Sequence, residues 1–300
     1  MTQLSAEILL IRPASFGFNE QTASTNSFQQ NQKNPDQIHA QALMEFDEVI
    51  DVLKKNNISC RVINDTEFPS KPDAVFPNNW FSTHENKVIV TYPMMAENRR
   101  AERRSDVIDL LRKDYGYITH IDFSHYEASG QFLEGTGSIV FDRSERIAYA
   151  ALSPRTDRDV LLECCEMLGY LPLLFQTKEL DHALVYHTNV LLSLHPELAV
   201  VCEELIIDED RHAVIRMLEV SGKAILRITK EQVKAFAGNL LFVKNQMNEN
   251  CVLISTTAIQ ALNQEQLKKL EAIAKIIPVT IPVIETAGGG GIRCMAAELF

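Results

Sequence analysis

The chain has 300 residues, 46% of them hydrophobic, with 29 Lys and Arg against 40 Asp and Glu, a formal charge of −11 and a pI near 5.3. That apolar content can fill one large closed domain or two smaller ones. The acidic balance argues against nucleic acid or an anionic membrane as the main partner, and fits a small cationic or zwitterionic ligand as well as simple solubility.

The six cysteines, Cys60, Cys164, Cys165, Cys202, Cys251 and Cys294, form no paired CxxC frame, so neither a zinc frame nor a disulfide scaffold is expected. No basic-then-apolar leader opens the chain, and no apolar run approaches a membrane span. The expectation is a soluble protein in a reducing cytoplasm.

In chain order, Ala6 to Pro13 reads as an apolar strand. Residues 14–37 are rich in Asn, Gln, Ser and Thr and punctuated by Phe16, Phe18 and Phe28. Such a length without periodicity suits a lid folded over something, or a static surface loop. Gln41 to Asn56 reads as a helix with Ala42, Leu43, Phe46, Val49, Ile50 and Leu53 on one face. Ile58 to Ile63 reads as a strand. The segment Lys71 to Phe81 then carries Asp73, Asn78, Asn79 and the only tryptophan into a hairpin that turns at His84-Glu85-Asn86.

That hairpin recurs. Gly137 to Phe141 turns into Ile147 to Ala150, Asn189 to Leu194 into Leu198 to Val201, and Asn239 to Val243 into Cys251 to Ile254. Helical stretches such as Arg158 to Leu168 and Gln264 to Ala274 follow, with the strand ending at Val201 a doubtful case. Copies at roughly 50 to 60 residues signal a closed or stacked repeat. A fifth copy appears if the ends are joined, Cys294 to Phe300 preceding Ile8 to Ile11. The expected fold is therefore α/β, a five-fold propeller of strand-hairpin-helix units in one domain, 1–300. An ordinary α/β sheet with several hairpins is the alternative.

Closure would gather the residues ahead of each first strand: Asp73, Asn78 and Asn79, then Glu134, then His187, then Cys294 after the run Gly288 to Gly291. A cysteine, a histidine and a carboxylate are what nucleophilic catalysis with a general acid/base requires. Arg293 could favour the Cys294 thiolate, the nucleophilic form. Taken singly, Cys294 is equally a buried inert thiol, His187 a structural histidine and Glu134 a capping acid.

These residues resemble the guanidino-group-modifying (pentein) superfamily, which includes arginine deiminases, dimethylarginine dimethylaminohydrolases and amidinotransferases. The pattern is most similar to dimethylarginine dimethylaminohydrolase, in Pro72-Asp73-Ala74-Val75-Phe76, Leu133-Glu134-Gly135-Thr136-Gly137, Tyr186-His187 and Cys294. The segments around Arg99 and Arg155 match ones whose arginines hold a substrate carboxylate; without the resemblance both read as solvated charges. Phe76-Pro77-Asn78-Asn79-Trp80 and the Arg12 to Asn19 start look like a bacterial amidinotransferase-like, or citrulline-utilisation, branch.

The resemblance implies covalent chemistry without metal or organic cofactor. Cys294 attacks the central carbon, His187 protonates the leaving nitrogen, and Glu134 orients His187. Asn78 and Asn79 stand where guanidinium-binding relatives carry acids. A buried guanidinium wants a carboxylate, whereas amides suit a neutral ureido group. This favours a citrulline-like or modified substrate, unless Asp73 or Glu285 supplies the charge. An amidinotransferase and a non-catalytic binding protein are the rival readings, and a homo-oligomer stays open.

Overall fold

The computed structural model describes residues 2–32, 34–181 and 183–300. Lys33, inside the expected lid segment, lies outside them, as does Met1 at the start of the expected domain.

Short β-branched and aliphatic runs bounded by polar turns make strands here, and among the described residues five three-stranded sheets share one connection pattern. In the first, Phe81–His84 and Val88–Thr91 form a hairpin and Thr119–Asp122 returns parallel to its second strand. Ile139–Asp142, Ile147–Ala151 and Leu171–Phe175 repeat this. So do Leu192–Leu194, Leu198–Val201 and Ala224–Arg227, and Leu241–Lys244, Asn250–Ser255 and Lys275–Val279. The fifth sheet takes strands from both chain ends. Ala297–Leu299 runs antiparallel to Glu7–Arg12, with Leu299 opposite Glu7, and Ser59–Asn64 pairs parallel on the other side.

A parallel return needs a crossover, and helices supply it: Pro35–Lys55, Ser105–Tyr115, Arg158–Leu168, Asp208–Val220, and the pair Thr256–Ala261 and Gln264–Glu271. The first begins earlier than its apolar period suggests. Pro35 sits in its first turn, where the missing N–H is harmless, and Asp36 complements the dipole. The helix after Val201 exists too. It buries only Val214 and Leu218 and opens with Asp208, Glu209 and Asp210, so its apolar stripe is too narrow to stand out in sequence.

Four apolar clusters join neighbouring sheets. Val90 and Tyr92 meet Ile139 and Ala148. Tyr149, Val200 and Phe242 share the largest cluster. Leu241 and Leu253 meet Ile8 and Leu10, and Leu9 and Ala297 meet Phe81 and Ile89. Ahead of each first strand the chain makes one tight turn, at Pro77–Asn79, Gly135–Ser138, Thr188–Val190, 235–238 and 292–295. Thr136 Oγ1 donates to the Asn78 carbonyl at 3.4 Å and Thr188 Oγ1 to that of Ser138 at 2.5 Å. Asn239 Nδ2 donates to the Asn189 carbonyl at 3.0 Å and the Arg293 N–H to Asn239 Oδ1 at 3.1 Å. The five turns are thereby tied together; Asn78, Asn79 and Cys294 lie in them, and Glu134 and His187 stand immediately ahead of theirs.

Candidate active site

Glu134 is fully buried at the head of its turn. Its Oε2 lies 2.9 Å from His187 Nε2, 3.5 Å from Arg155 Nη1 and 3.8 Å from Arg99 Nη1, while Oε1 accepts the Met95 N–H at 3.1 Å. Burial favours the neutral acid, but Arg155, the hydrogen bond and charge of His187, and Arg99 outweigh it and hold the carboxyl well below its ordinary value. Glu134 is thus an anion at neutral pH.

His187 is pulled the other way. Burial outweighs Glu134 and pushes the imidazole down to about 4. Facing an anionic partner, the neutral ring donates Nε2–H to Glu134, a tautomer assigned from the hydrogen bond. Nδ1 is then the nitrogen left to exchange a proton. The ring edge bearing Nδ1 and Cε1 lies over Gly137, where a Cβ would stand 2.7 Å from both atoms.

Cys294 is 4% exposed. Its Sγ lies 3.4 Å from Asn239 Nδ2 and 3.6 Å from Asn189 Nδ2. Burial raises the thiol, against smaller opposing effects of Asn239, Arg293, Asn189 and the Gly291 backbone. Arg293 is spent elsewhere, bound to Glu298 at 2.7 Å and to the Ala296 carbonyl at 3.1 Å, so the net shift is upward despite it. The resting pair is a thiol and a neutral imidazole.

One cavity is lined by Asp73, Asn79, Arg99, Arg155, His187 and Cys294, together with Asn26, Phe76, Tyr186 and the run Gly288 to Gly290. Arg99 and Arg155 are each only 2% exposed, far from the solvated charges that sequence suggests. Arg99 is clamped by Glu102 through two bonds of 2.8 Å, and its Nη1 donates to Asn79 Oδ1 at 2.8 Å. Arg155 stacks on the Tyr186 ring at 4.7 Å. Asp73 sits 3.6 Å from Arg99 Nε, and burial raises its carboxyl in spite of Arg99 and Asn19. Asn78 accepts from Asn79 Nδ2 at 3.1 Å, and its own Nδ2 has no partner among the described residues.

The segment after the first strand covers this cavity. Asn19 Nδ2 donates to Asp73 at 2.7 Å. Arg155 donates to Thr25 Oγ1 from Nε at 3.0 Å and from Nη2 at 2.6 Å, and to the Thr22 carbonyl at 3.0 Å. The Gln30 N–H donates to the Thr286 carbonyl at 2.8 Å. The remaining space is about 10 Å³, room for a single water at most.

Glu285 is not brought to this cavity. It lines a separate one of about 380 Å³ with Ser27, Phe28, Lys234, Phe236 and Thr257. Neither carboxylate oxygen meets hydrogen-bond geometry with a partner among the described residues, and burial pushes the acid up to about 7 despite the nearby Ser255 and Thr257 hydroxyls.

Sequence reasoning missed Glu102, Asn239 and the polar residues of the covering segment. Glu102 stands three residues after Arg99, a helical pairing distance. Asn239 stands two residues ahead of its first strand, as Asn79 does, and Asn189 three ahead of its own. For Asn19, Thr22 and Thr25 the sequence offers no periodic signal.

The profile of the family described as N,N dimethylarginine dimethylhydrolase, eukaryotic, matches residues 12–300. No curated protein matches the chain by sequence. Among solved structures, the N-terminal domain of ArgZ, covalently bound to a reaction intermediate, superposes with a TM-score of 0.77 at 14% identity, covering 98% of this chain and 97% of that domain. Apo ArgZ, an arginine dihydrolase from the ornithine-ammonia cycle in cyanobacteria, gives 0.76 at 14%; the match covers 97% of this chain but only 40% of ArgZ. A dimethylarginine dimethylaminohydrolase adduct with S-methyl-L-thiocitrulline gives 0.69 at 17%, covering 99% of this chain and all of the other. At these identities the structures establish a shared mixed α/β fold.

Proposed function

The chain belongs to the N,N-dimethylarginine dimethylhydrolase family, and from that premise we propose that it is a cysteine-dependent hydrolase of a C–N bond in the guanidino or ureido group of an arginine-related amino acid. The observation that carries the reading is the single cavity lined by Cys294 and His187, with Glu134 bound to His187 behind it. Family membership alone would not require that arrangement to be intact.

Cys294 Sγ bonds to the central carbon while its proton passes to His187 Nδ1. The imidazolium, stabilised by Glu134, gives that proton to the departing nitrogen and the C–N bond breaks. Water then attacks the sulfur-bound carbon, of a thiouronium where the substrate is a guanidino group and of a thiocarbamate where it is a ureido group, and yields a proton to His187. The C–S bond breaks and the proton returns to sulfur. Arg155 and Arg99 supply positive charge for a substrate carboxylate, Arg155 being the better placed because withdrawal of Thr22 and Thr25 would free its Nε and Nη2, whereas Glu102 occupies the Arg99 fork. The polar segment must withdraw for substrate to enter, as a lid does. We take the five sheets as blades of one closed five-fold propeller in a single domain, working in the cytoplasm.

Asn78 and Asn79 favour a citrulline-like or modified substrate. Asn79 lines the cavity, whereas Asn78, bonded to it, does not. The Asn78 Nδ2, without a partner among the described residues, is a neutral donor that an opened cavity would offer to a ureido oxygen, and Asp73 in the cavity lining has one oxygen without a partner among the described residues. The test is mass-spectrometric product analysis on citrulline, arginine, methylarginines and agmatine, with Cys294→Ser as control. Ornithine from citrulline, lost in the variant, is the expected result. Turnover of arginine or methylarginine without citrulline would discard the asparagine argument, and no product from any of them would point to an acylated or amine-dependent substrate, or to transfer of the group to an amine.

A further inference from the structure

The surroundings of Cys294 hold two groups that the mechanism above leaves idle. Asn189 and Asn239 come from the turns of the third and fourth sheets and meet the sulfur of the fifth. Both are buried, at 1% and 2% exposure. We propose that their side-chain amides form a donor cradle that fixes the Cys294 sulfur in place and stabilises its thiolate. The proposal rests on Cys294 being the nucleophile.

The orientation of Asn239 is set by the backbone around it. Its Oδ1 accepts the Arg293 N–H at 3.1 Å, so its Nδ2 must face the other way. One Nδ2 hydrogen goes to the Asn189 carbonyl at 3.0 Å, and the second is left for Sγ at 3.4 Å. In the thiol form the S–H can turn to Asn239 Oδ1 at 3.7 Å. The same side chain therefore accepts from the thiol and donates to the thiolate. Asn189 adds a second donor at 3.6 Å. The convergence depends on Gly238, where a Cβ would stand 2.2 Å from the Val190 carbonyl oxygen.

An anion in a buried site is stabilised by hydrogen bonds to its charged form, and lost donors shift its titration upward. The charged and titratable groups sharing the cavity are Asp73, Arg99, Arg155, Tyr186 and His187, with Arg293 on the cysteine's own segment. Arg99 and Arg155 are offset by Glu102 and Glu134, and Arg293 by Glu298. Among the described residues, the two amides are the groups within hydrogen-bond reach of the sulfur, beyond its own segment.

The experiment is the rate of iodoacetamide alkylation of the Cys294 peptide, followed by mass spectrometry from pH 6 to 10, in the full chain. Only the thiolate reacts, so the midpoint reads its protonation without any substrate. Asn239→Leu and Asn189→Leu should each move the midpoint up by about one unit, slowing alkylation roughly tenfold below it. Asn239→Asp, nearly the same shape but anionic, should move it further. In turnover, kcat should fall with KM little changed. Midpoints that stay put in Asn239→Asp and Asn189→Leu would overturn the cradle, even if Asn239→Leu fails to fold. A shifted midpoint in a chain that gives product from none of those substrates keeps the cradle and overturns only the substrate assignment.

Discussion

At the scale of single residues, the site depends on how neutral and charged forms are divided. His187 and Glu134 are both buried, yet one is held neutral and the other ionised. Gly137 is the residue that lets this pair form. In Gly137→Ala the new Cβ would meet the imidazole at 2.7 Å and Asn79 Nδ2 at 2.6 Å. Both neighbours are enclosed, so the ring must tilt off Glu134. Misplacement by about 1 Å costs roughly a hundredfold in rate, so kcat should fall by about that factor in a variant that still folds. Activity within a few-fold of wild type would show that the ring has room to spare. Glu285 makes a separate prediction. With its pKa raised from 4.5 to about 7, the native state holds a proton that the unfolded chain releases. Its contribution to stability is full below pH 4.5, falls as pH rises to about 7, and is flat above. The window is worth about 3 kcal/mol. Glu285→Gln cannot lose the proton, so its melting temperature should gain on wild type by about 5 °C between pH 5 and pH 8. A gap that does not change with pH would mean that Glu285 has found a partner. The residue types at the site were legible in sequence because the repeat placed Glu134, His187 and Cys294 at equivalent turns. The burial of Arg99 was not, since its depth comes from Glu102 and Asp73 closing on it in space.

At the scale of elements, strands and hairpins were readable from short apolar runs between polar turns. The helix Asp208–Val220 was harder because two buried residues make no visible period. The covering segment was readable only as a long polar stretch. What it does is set by single hydrogen bonds, to Asp73, Arg155 and the Thr286 carbonyl, and no periodic pattern encodes those. Its docking ends on Gly289, which has φ +66° and lies against Asn26 and Gln29. A side chain there is strained by the backbone, and its Cβ would stand 2.6 Å from Asn26 Nδ2 and 2.7 Å from Gln29 Cγ. Gly289→Ala should therefore lift the segment without placing its new methyl against Cys294, His187 or Glu134. Limited proteolysis is expected to cut near residues 19–31 several-fold faster, with KM raised more than kcat is lowered. Unchanged cleavage, with the variant folded, would argue that the segment is a fixed wall and that substrate enters elsewhere.

At the scale of the whole molecule, the architecture assigns the chain ends to one sheet. Sequence could suggest this only because four hairpins made the fifth conspicuous by its missing half. The joint is more than a strand pair. Ser5 Oγ donates to the Leu299 carbonyl at 3.2 Å, Thr83 Oγ1 to that of Glu298 at 2.8 Å, and Tyr117 to that of Phe300 at 2.7 Å. The Arg143 guanidinium stacks on the Phe300 ring at 3.7 Å. The last strand thus touches the first sheet as well as the N-terminal strand. If the five sheets form a ring, the cut between the ends is one of several equivalent places to open it. Joining the termini through a linker of about eight residues, flexible enough to span the gap, and opening the chain beside the exposed Met247 moves the cut into the fourth hairpin's turn. Exposed turns tolerate such openings. The permutant should fold with a melting temperature within about 10 °C of the parent, since only one turn is lost, and should keep the activity of the parent. Deleting residues 297–300 should instead leave Glu7–Arg12 with an open edge and give an insoluble or far less stable chain. A permutant that unfolds while the truncation survives would mean that the ends are not a structural joint, and the closed ring would have to be given up.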